Sequence, residues 1–347
     1  MNLSILKELS GTAGTSSDTN EDDFYQTSKY DFECINEIRV SNLIKNDLIM
    51  ENLPFYVVTS HEFIVIKDLN HHVILTPIKY VLLRYNLDIL NYQSFSNYLA
   101  TVEYPSGFLS IMLETYFKLL NSLLDLEKIN ICFFSLSAEQ ILMNTQSSNA
   151  ILANFKRSLV LEDPDDRHFI QILENTTCYT YKPIEIHLIH YLLTVNGAPL
   201  SYSSIDEITS RFTKNMDFFN HFEEEYKTQY YNECVGHLRT KYLNKSKDYI
   251  ITEVKRENWK TWDNFSISIL FLHIFKHMAN VFSLNNTIIN ELVQFLKQNL
   301  DAVPTKRNTL SYTIAKVNEL LLKNQDWGFL RLIRKSKMKK LYERIVA

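Results

Sequence analysis

The chain has 347 residues, of which 46% are hydrophobic and 22% charged, with a net charge of −4. This is the composition of a globular protein that is large enough to bury a core without disulfides or metal. The four cysteines form no CxxC pair, which argues against a zinc ribbon, and the six glycines form no GxGxxG or GxxxxGK[ST] motif, which disfavours a phosphate-binding loop.

The predicted elements begin with a small mixed part. Residues 8–22 are polar and small, which predicts a flexible loop, and apolar residues at helical spacing predict a helix over 31–50. Runs rich in Val, Ile, Leu and Tyr then predict strands at 55–60, 63–68 and 73–84.

After Arg84 the pattern becomes mainly helical, with a short helix predicted at 94–101 and a long apolar one at 108–127. Strand-like fragments interrupt it at 131–134, 140–143 and 150–155. Nearly everything beyond Lys182 is predicted to be helical. A strand-rich part followed by a helical part predicts the α+β class.

Residues 131–142 and 150–156 resemble the catalytic loop and the metal-binding segment of protein kinases. The family pattern is H-R-D-L-K-x-x-N-I-L, followed by a strand pair and D-F-G. The apolar frame of this pattern is matched at Leu136, Ile141, Leu142 and Phe155. A long apolar helix precedes the loop, as it does in the family.

Further matches occur in the family's order and extend over about residues 1–323. Residues 4–7 are similar to the V-A-I-K strand, which makes Lys7 the strand lysine and Glu37 its partner on the following helix. The other matched positions are Glu185 in an A-P-E-like segment, Asp263 at the start of a D-x-W-S-x-G-like helix, and Arg307 as the late arginine.

The resemblance implies a set of structural contacts. Glu185 and Arg307 are expected to form a partly buried ion pair, and Asp263 is expected to accept hydrogen bonds from the catalytic-loop backbone. Lys7 and Glu37 are expected to tie strand to helix, at a spacing that is long for the family.

The positions that carry the family's chemistry are changed in this chain. The catalytic Asp is replaced by Ser135, which is not a base near neutral pH, and the loop Asn by Gln140. The D-F-G Asp is replaced by Asn154, whose amide brings no negative charge to Mg²⁺. The resemblance therefore implies no catalytic residue, no bound metal and no cofactor.

The expected architecture is a protein-kinase-like two-lobe α+β fold. Its N-lobe, residues 1–86, is truncated because too few residues precede Lys7 for a Gly-rich strand pair, and its large helical C-lobe spans 87–323. Residues 194–258 exceed the family's usual link and are expected to form a helical insert or an interaction surface. Residues 324–347 are predicted to form a basic C-terminal helix.

Within this C-terminal segment, residues 331–347 carry seven cations against one carboxylate side chain, Glu343. The cations are Arg331, Arg334, Lys335, Lys337, Lys339, Lys340 and Arg344. A basic amphipathic helix can contact an anionic membrane, a nucleic acid or an acidic partner. The alternative is an ordinary solvated helix that packs on the acidic body of the protein.

Two histidine pairs have spacings that zinc sites also use, His187 with His190 and His273 with His277. No HExxH motif accompanies them, so histidines that fill a helical lobe are the preferred interpretation. The acidic stretch 162–166 falls at the activation-loop position and is expected to be a solvated loop.

The amino-acid sequences of these motifs are most similar to those of kinase-like proteins of large nucleocytoplasmic DNA viruses. The resemblance implies a pseudokinase that acts as a binding scaffold, a regulator or a structural component of the virion. The alternatives are a divergent Ser/Thr protein kinase with residual nucleotide binding, and an interaction protein whose likeness to kinases is accidental.

The expected partners are viral or host proteins, with no small-molecule substrate. The expected location is the host cytoplasm at the assembly site, or the virion. No uninterrupted apolar run approaches the roughly 18–20 residues of a membrane span, and the N-terminus lacks a signal-peptide pattern.

Overall fold

The structure is a computed structural model, and it describes residues 24–47, 54–64, 78–87, 89–102, 104–134, 136–162, 166–175, 181–195, 199–216, 219, 222–284, 286–323 and 334–346. Over these residues the protein is predominantly helical with small antiparallel sheets, which confirms the predicted α+β class. The predicted loop at 8–22 and the predicted strand lysine, Lys7, lie outside the described residues.

The N-terminal part is an antiparallel sheet with one helix packed on it. Strands β1 (Phe24–Lys29), β2 (Val58–Ile64) and β3 (Tyr80–Tyr85) pair in the order β1-β3-β2. Helix α1 (Phe32–Asp47) lies between β1 and β2 in the sequence. Alternate residues of β3 are buried, as expected for a strand with one covered face, and they pack against Cys34 and Ile38 of α1.

This region departs from the predicted elements at two points. The strand at 24–29 was not predicted, because it is short and carries four polar residues among six. The runs predicted at 55–60 and 63–68 meet in one strand, Val58–Ile64, whose register shifts between Val58 and Ser60. A shift of this kind lets an interrupted apolar pattern continue along the same partner strand. Residues 65–68 lie outside the described residues.

The middle of the chain carries the short strands that shape the predicted loop. A long helix, α3 (Pro105–Lys128), begins with a proline, where a backbone N–H is not needed. The other elements of this region are β4 (Tyr92–Ser94), α2 (Phe95–Thr101), β5 (Ile131–Cys132), β6 (Ile141–Asn144), β7 (Ala150–Leu152) and β8 (Leu159–Val160). One sheet has the strand order β4-β6-β7, and a separate pair joins β5 to β8.

The C-terminal half is helical, as predicted. Its helices are α4 (Asp166–Glu174), α5 (Ile184–Thr194), α6 (Tyr202–Asn215), α7 (Glu224–Tyr242), α8 (Lys247–Glu257), α9 (Trp262–Phe282), α10 (Ile288–Gln298), α11 (Leu310–Lys323) and α12 (Lys335–Val346). Helices α6, α7 and α8 occupy most of the predicted insert 194–258. Their apolar faces join the same hydrophobic cluster as α5 and α9, so this segment extends the main core.

Helix α9 is the central helix of that core. The segment Trp259–Phe282 is long and apolar enough to cross a membrane by length and composition, and 72% of its apolar window is buried inside the protein. The sequence does not show this segment as an uninterrupted apolar run, because Asn264, Ser266 and Ser268 break it. All three side chains are buried and hydrogen-bonded, for example Ser266 to the Tyr181 carbonyl oxygen at 2.7 Å. The length and composition of α9 are therefore accounted for by its place in the core.

Candidate functional site

The loop that follows β5 is anchored by Asp263 at the start of α9. The backbone N–H groups of Phe133 and Phe134 donate to the two carboxylate oxygens of Asp263 at 2.7 and 2.9 Å. Burial raises the pKa of Asp263, while these two hydrogen bonds and the nearby Lys182 act in the opposite direction. The predicted contact between Asp263 and the loop backbone is confirmed.

The backbone turns sharply at Phe134, immediately before Ser135, the position that aligns with the catalytic Asp of kinases. Phe134 has a φ of 63°, and its ring is buried beneath the Nζ of Lys182 at 4.1 Å and beside Trp262. The left-handed conformation costs a non-glycine residue about 1–2 kcal/mol, so surrounding contacts must stabilise it. Asp263 and Lys182 provide those contacts. Ser135, which follows, lies outside the described residues.

The segment after β7 contains Asn154 and Phe155. Asn154 is exposed, with φ 67° and ψ 71°, and it precedes a short 3₁₀ turn over Phe155–Arg157. The ring of Phe155 is buried between Phe133, at 5.3 Å between ring centroids, and Phe55, at 5.9 Å. The segment is thus held by edge-to-face aromatic contacts, while the Asn154 side chain is left at the surface.

Gln140 lies at the end of a second 3₁₀ turn, just before β6. Its side-chain oxygen accepts a hydrogen bond from the hydroxyl of Ser137, and its carbonyl oxygen accepts one from the Ala153 N–H at 2.9 Å. Gln140 and Asn154 both offer neutral amide oxygens. A hard cation such as Mg²⁺ prefers carboxylates, so these two positions form a poor magnesium site.

Helix α1 is tied to the 3₁₀ turn through Asn36. The side-chain amide of Asn36 donates to the carbonyl oxygens of Phe155, Lys156 and Ser158 at 3.4, 2.9 and 2.9 Å. At the surface, Arg157 and Glu33 form an ion pair at 2.9 Å. Asn36 is a site residue that the sequence motifs do not mark. A polar residue next to Glu37, on a helix that must pack on a sheet, was the available signal.

Glu37 is only 3% exposed, and its partner within the described residues is Tyr85 of β3. Burial raises the pKa of Glu37, while Lys156 and the hydrogen bond to Tyr85 act against that rise. The predicted tie between Lys7 and Glu37 falls outside the described residues.

The buried Glu37 predicts a specific pH dependence of stability. Because its pKa is raised in the folded state, its contribution to stability is complete below the ordinary pKa of a glutamate and is lost as pH rises through the folded value. Glu37→Gln stays neutral, so its free energy of unfolding should fall less than that of the wild type between pH 4 and pH 8. Urea unfolding across this range measures the difference. Glu225→Gln, which changes an exposed glutamate of α7, should keep the wild-type slope. Parallel profiles for Glu37→Gln and wild type would contradict the argument.

Glu185 and Arg307 form a bidentate ion pair whose side chains are both 0% exposed. The guanidinium donates to the two carboxylate oxygens at 2.5 and 2.9 Å, and the indole N–H of Trp262 donates to Glu185 at 3.0 Å. Burial opposes the charge of Arg307, but Glu185 outweighs it and raises the pKa of the guanidinium. The predicted ion pair is confirmed, and it is fully rather than partly buried.

The histidine pairs contribute to packing. The rings of His273 and His277 lie 4.4 Å apart on α9, and His187 packs against Phe212. In the part of the chain that the structure describes, no three His, Cys, Asp or Glu side chains are grouped to hold a metal ion.

Helix α12 packs on the body of the protein through its apolar face. Met338 and Leu341 are buried, and Tyr342 contacts Phe108 and donates from its hydroxyl to the Val102 carbonyl oxygen. The helix was predicted over 324–347 and is observed over Lys335–Val346, and Arg331 lies outside the described residues. The exposed cations are Arg334, Lys335, Lys337, Lys339, Lys340 and Arg344.

The exposed cations and the buried apolar residues of the C-terminal segment are expected to contribute differently to stability. Changing the exposed cations Arg334, Lys339 and Lys340 to Gln should alter the free energy of unfolding by less than about 1 kcal/mol, because exposed charges contribute little. Leu341→Ala opens a cavity and should cost about 2 kcal/mol or more. Thermal unfolding of both variants checks this, and a large loss in the glutamine variant alone would show that the cations stabilise the fold.

Comparison of the chain with protein-family models and with curated proteins found no match to either.

Proposed function

We propose that this protein is a catalytically inactive, protein-kinase-like scaffold or regulator. The observation that carries the proposal is the hydrogen bonding of Asp263, on the central helix, to the Phe133 and Phe134 N–H groups. In the kinase-like alignment, these residues stand at the His and Arg of the catalytic loop. The two motifs are 130 residues apart in the sequence, and the resemblance requires this contact between them.

A second contact supports the same alignment independently. The resemblance pairs the A-P-E glutamate with a late arginine, and Glu185 and Arg307 form that pair in the core. The order of elements agrees as well, since a small sheet with one helix precedes the helical part. These features support a two-lobe architecture with residues 1–86 in the smaller lobe and 87–323 in the larger.

The proposed inactivity follows from the substituted positions. Phosphoryl transfer depends on a base that orients the nucleophile and on carboxylate or amide ligands that hold Mg²⁺ at the phosphates. Ser135, Gln140 and Asn154 bring no carboxylate to these roles. Asn36 and the edge-to-face aromatic contacts of Phe155 hold α1 and the 3₁₀ turn in place through contacts within the protein.

The proposal includes the origin, the partners and the location of the protein. The resemblance to kinase-like proteins of large DNA viruses favours a viral origin, with viral or host proteins as partners. The proposed site of action is the host cytoplasm at the assembly site, or the virion. Quantitative co-purification from infected cells and from particles tests this, and a partner recovered in stoichiometric amounts is the expected result.

ATP binding and phosphate transfer test the chemical part of the proposal. ATP with Mg²⁺ should leave the melting temperature unchanged, whereas a ligand at 100 times its Kd would stabilise the protein by about 2.7 kcal/mol. No phosphate should be transferred by the wild type. The double variant Ser135→Asp, Asn154→Asp should also be inactive, because two carboxylates without a held nucleotide supply little catalysis. A thermal shift, or autophosphorylation of the double variant, would favour the divergent kinase instead.

A further inference from the structure

Helix α12 carries its exposed cations in two rows. Each residue advances about 100° around an α-helix, so the positions opposite the buried Met338 and Leu341 are Ser336 and Glu343. Both of these side chains are exposed and form a polar ridge along the outer side of the helix. The cations flank this ridge, with Lys335 and Lys339 on one side and Lys337, Lys340 and Arg344 on the other.

Three of these cations are available to a partner. Lys335 lies over the ring of Tyr104, and Lys337 donates to the Val281 carbonyl oxygen at 3.3 Å, so both are engaged with the body. Within the described residues, no carboxylate lies at ion-pair distance from Lys339, Lys340 or Arg344. The helix therefore presents uncompensated positive charge on both flanks, although the whole chain carries −4.

We propose that α12 binds duplex DNA by lying in the major groove. A helix with its side chains is about 10–12 Å across, and the major groove of B-form DNA is about 12 Å wide. Cations on the two flanks then reach the phosphates of the two groove walls. This role is additional to the proposed scaffold function and does not depend on it.

The outer ridge favours a groove over a flat membrane. The charge of Glu343 is repelled by anionic headgroups and by DNA phosphates alike, and a flat bilayer offers it no hydrogen-bond donor in return. In the groove, Glu343 and Ser336 face the base edges, where cytosine amino groups can donate to a carboxylate. The apolar face that an interfacial helix inserts between lipids is already buried against the protein through Met338 and Leu341.

The proposal also distinguishes DNA from RNA. The major groove of an A-form duplex is deep and narrow, and side chains cannot reach into it. Duplex RNA of the same sequence should therefore bind more weakly than duplex DNA.

Fluorescence anisotropy with the full chain and a labelled DNA duplex of about 20 base pairs tests the proposal. The variant Lys339→Gln, Lys340→Gln, Arg344→Gln should weaken binding and reduce the slope of log affinity against log salt by about 2.7, from about 0.9 for each lost phosphate contact. The control Lys214→Gln, Lys306→Gln, Lys323→Gln removes three exposed cations from other elements and should keep the wild-type slope. Equal slopes for the triple variant and the wild type would overturn the proposal.

Two further measurements keep the test decisive if the triple variant folds poorly. Duplex DNA should protect Lys339 and Lys340 of the wild-type protein from acetylation, with Lys306 as the unprotected reference. Binding to phosphatidylserine vesicles in the absence of DNA binding would overturn the proposal in favour of a membrane contact. Loss of self-association in the triple variant, again without DNA binding, would overturn it in favour of an interface between copies of the chain.

Discussion

The Arg307→Ala variant is expected to lose about 3–5 kcal/mol of its free energy of unfolding, because it leaves the Glu185 carboxylate buried without its counter-charge. Both side chains are 0% exposed, so water cannot replace the lost partner. The guanidinium also donates to the Asp301 carbonyl oxygen at 2.7 Å and lies over the ring of Phe265, and these contacts disappear as well. Urea unfolding followed by circular dichroism measures the loss.

A matched surface variant separates burial from charge. Arg211 pairs with Glu207 at 2.5 Å on an exposed helix face, and Arg211→Ala should cost only about 0.3–0.5 kcal/mol. The double variant Glu185→Leu, Arg307→Met removes both buried charges and should lose less than Arg307→Ala alone, since no charge is left unpaired. A cost below about 1 kcal/mol for Arg307→Ala would contradict the buried pair.

The parts of the fold that sequence predicted well have strong local patterns. The helix predicted over 31–50 is observed as Phe32–Asp47, and the apolar helix at 108–127 as Pro105–Lys128. The strand Phe24–Lys29 has no such pattern. Its pairing with β3 holds it in place, and that contact joins residues about 55 positions apart. Elements fixed by a partner strand leave little trace in their own residues.

The contacts of the candidate site also fall into those that the sequence predicts and those that it does not. The contacts of Asp263 and of Glu185 with Arg307 could be predicted, because motif resemblance carries information about distant pairs. The Asn36 contacts with the carbonyl oxygens of the 3₁₀ turn could not, since an asparagine on a helix has many possible partners. The same holds for the Glu37 contact with Tyr85, which depends on how α1 lies against the sheet. For the C-terminal helix, the sequence predicts an amphipathic helix but does not identify the surface that its apolar face covers.

The Asp263→Ala variant should be as damaging as the loss of Arg307, by a different route. It leaves the buried N–H groups of Phe133 and Phe134 without acceptors, and each unsatisfied group costs about 1–3 kcal/mol. It also removes the hydrogen bonds that stabilise the left-handed backbone conformation of Phe134, which is unfavourable for a residue other than glycine. We expect a total loss of about 3–5 kcal/mol in the free energy of unfolding.

The location of this effect is as informative as its size. In native-state hydrogen exchange, the Phe133 and Phe134 amides should lose protection in Asp263→Asn, because one amide oxygen cannot accept both hydrogen bonds with the geometry of a carboxylate. The strand pair β5–β8, one residue away, should remain protected at Cys132 as long as the fold persists. Asp125→Ala, which removes an exposed carboxylate from the end of α3, should leave both amides protected. Because Asp263 is the contact on which the kinase-like alignment depends, unchanged protection of Phe133 and Phe134 in Asp263→Asn would remove the main support for that alignment.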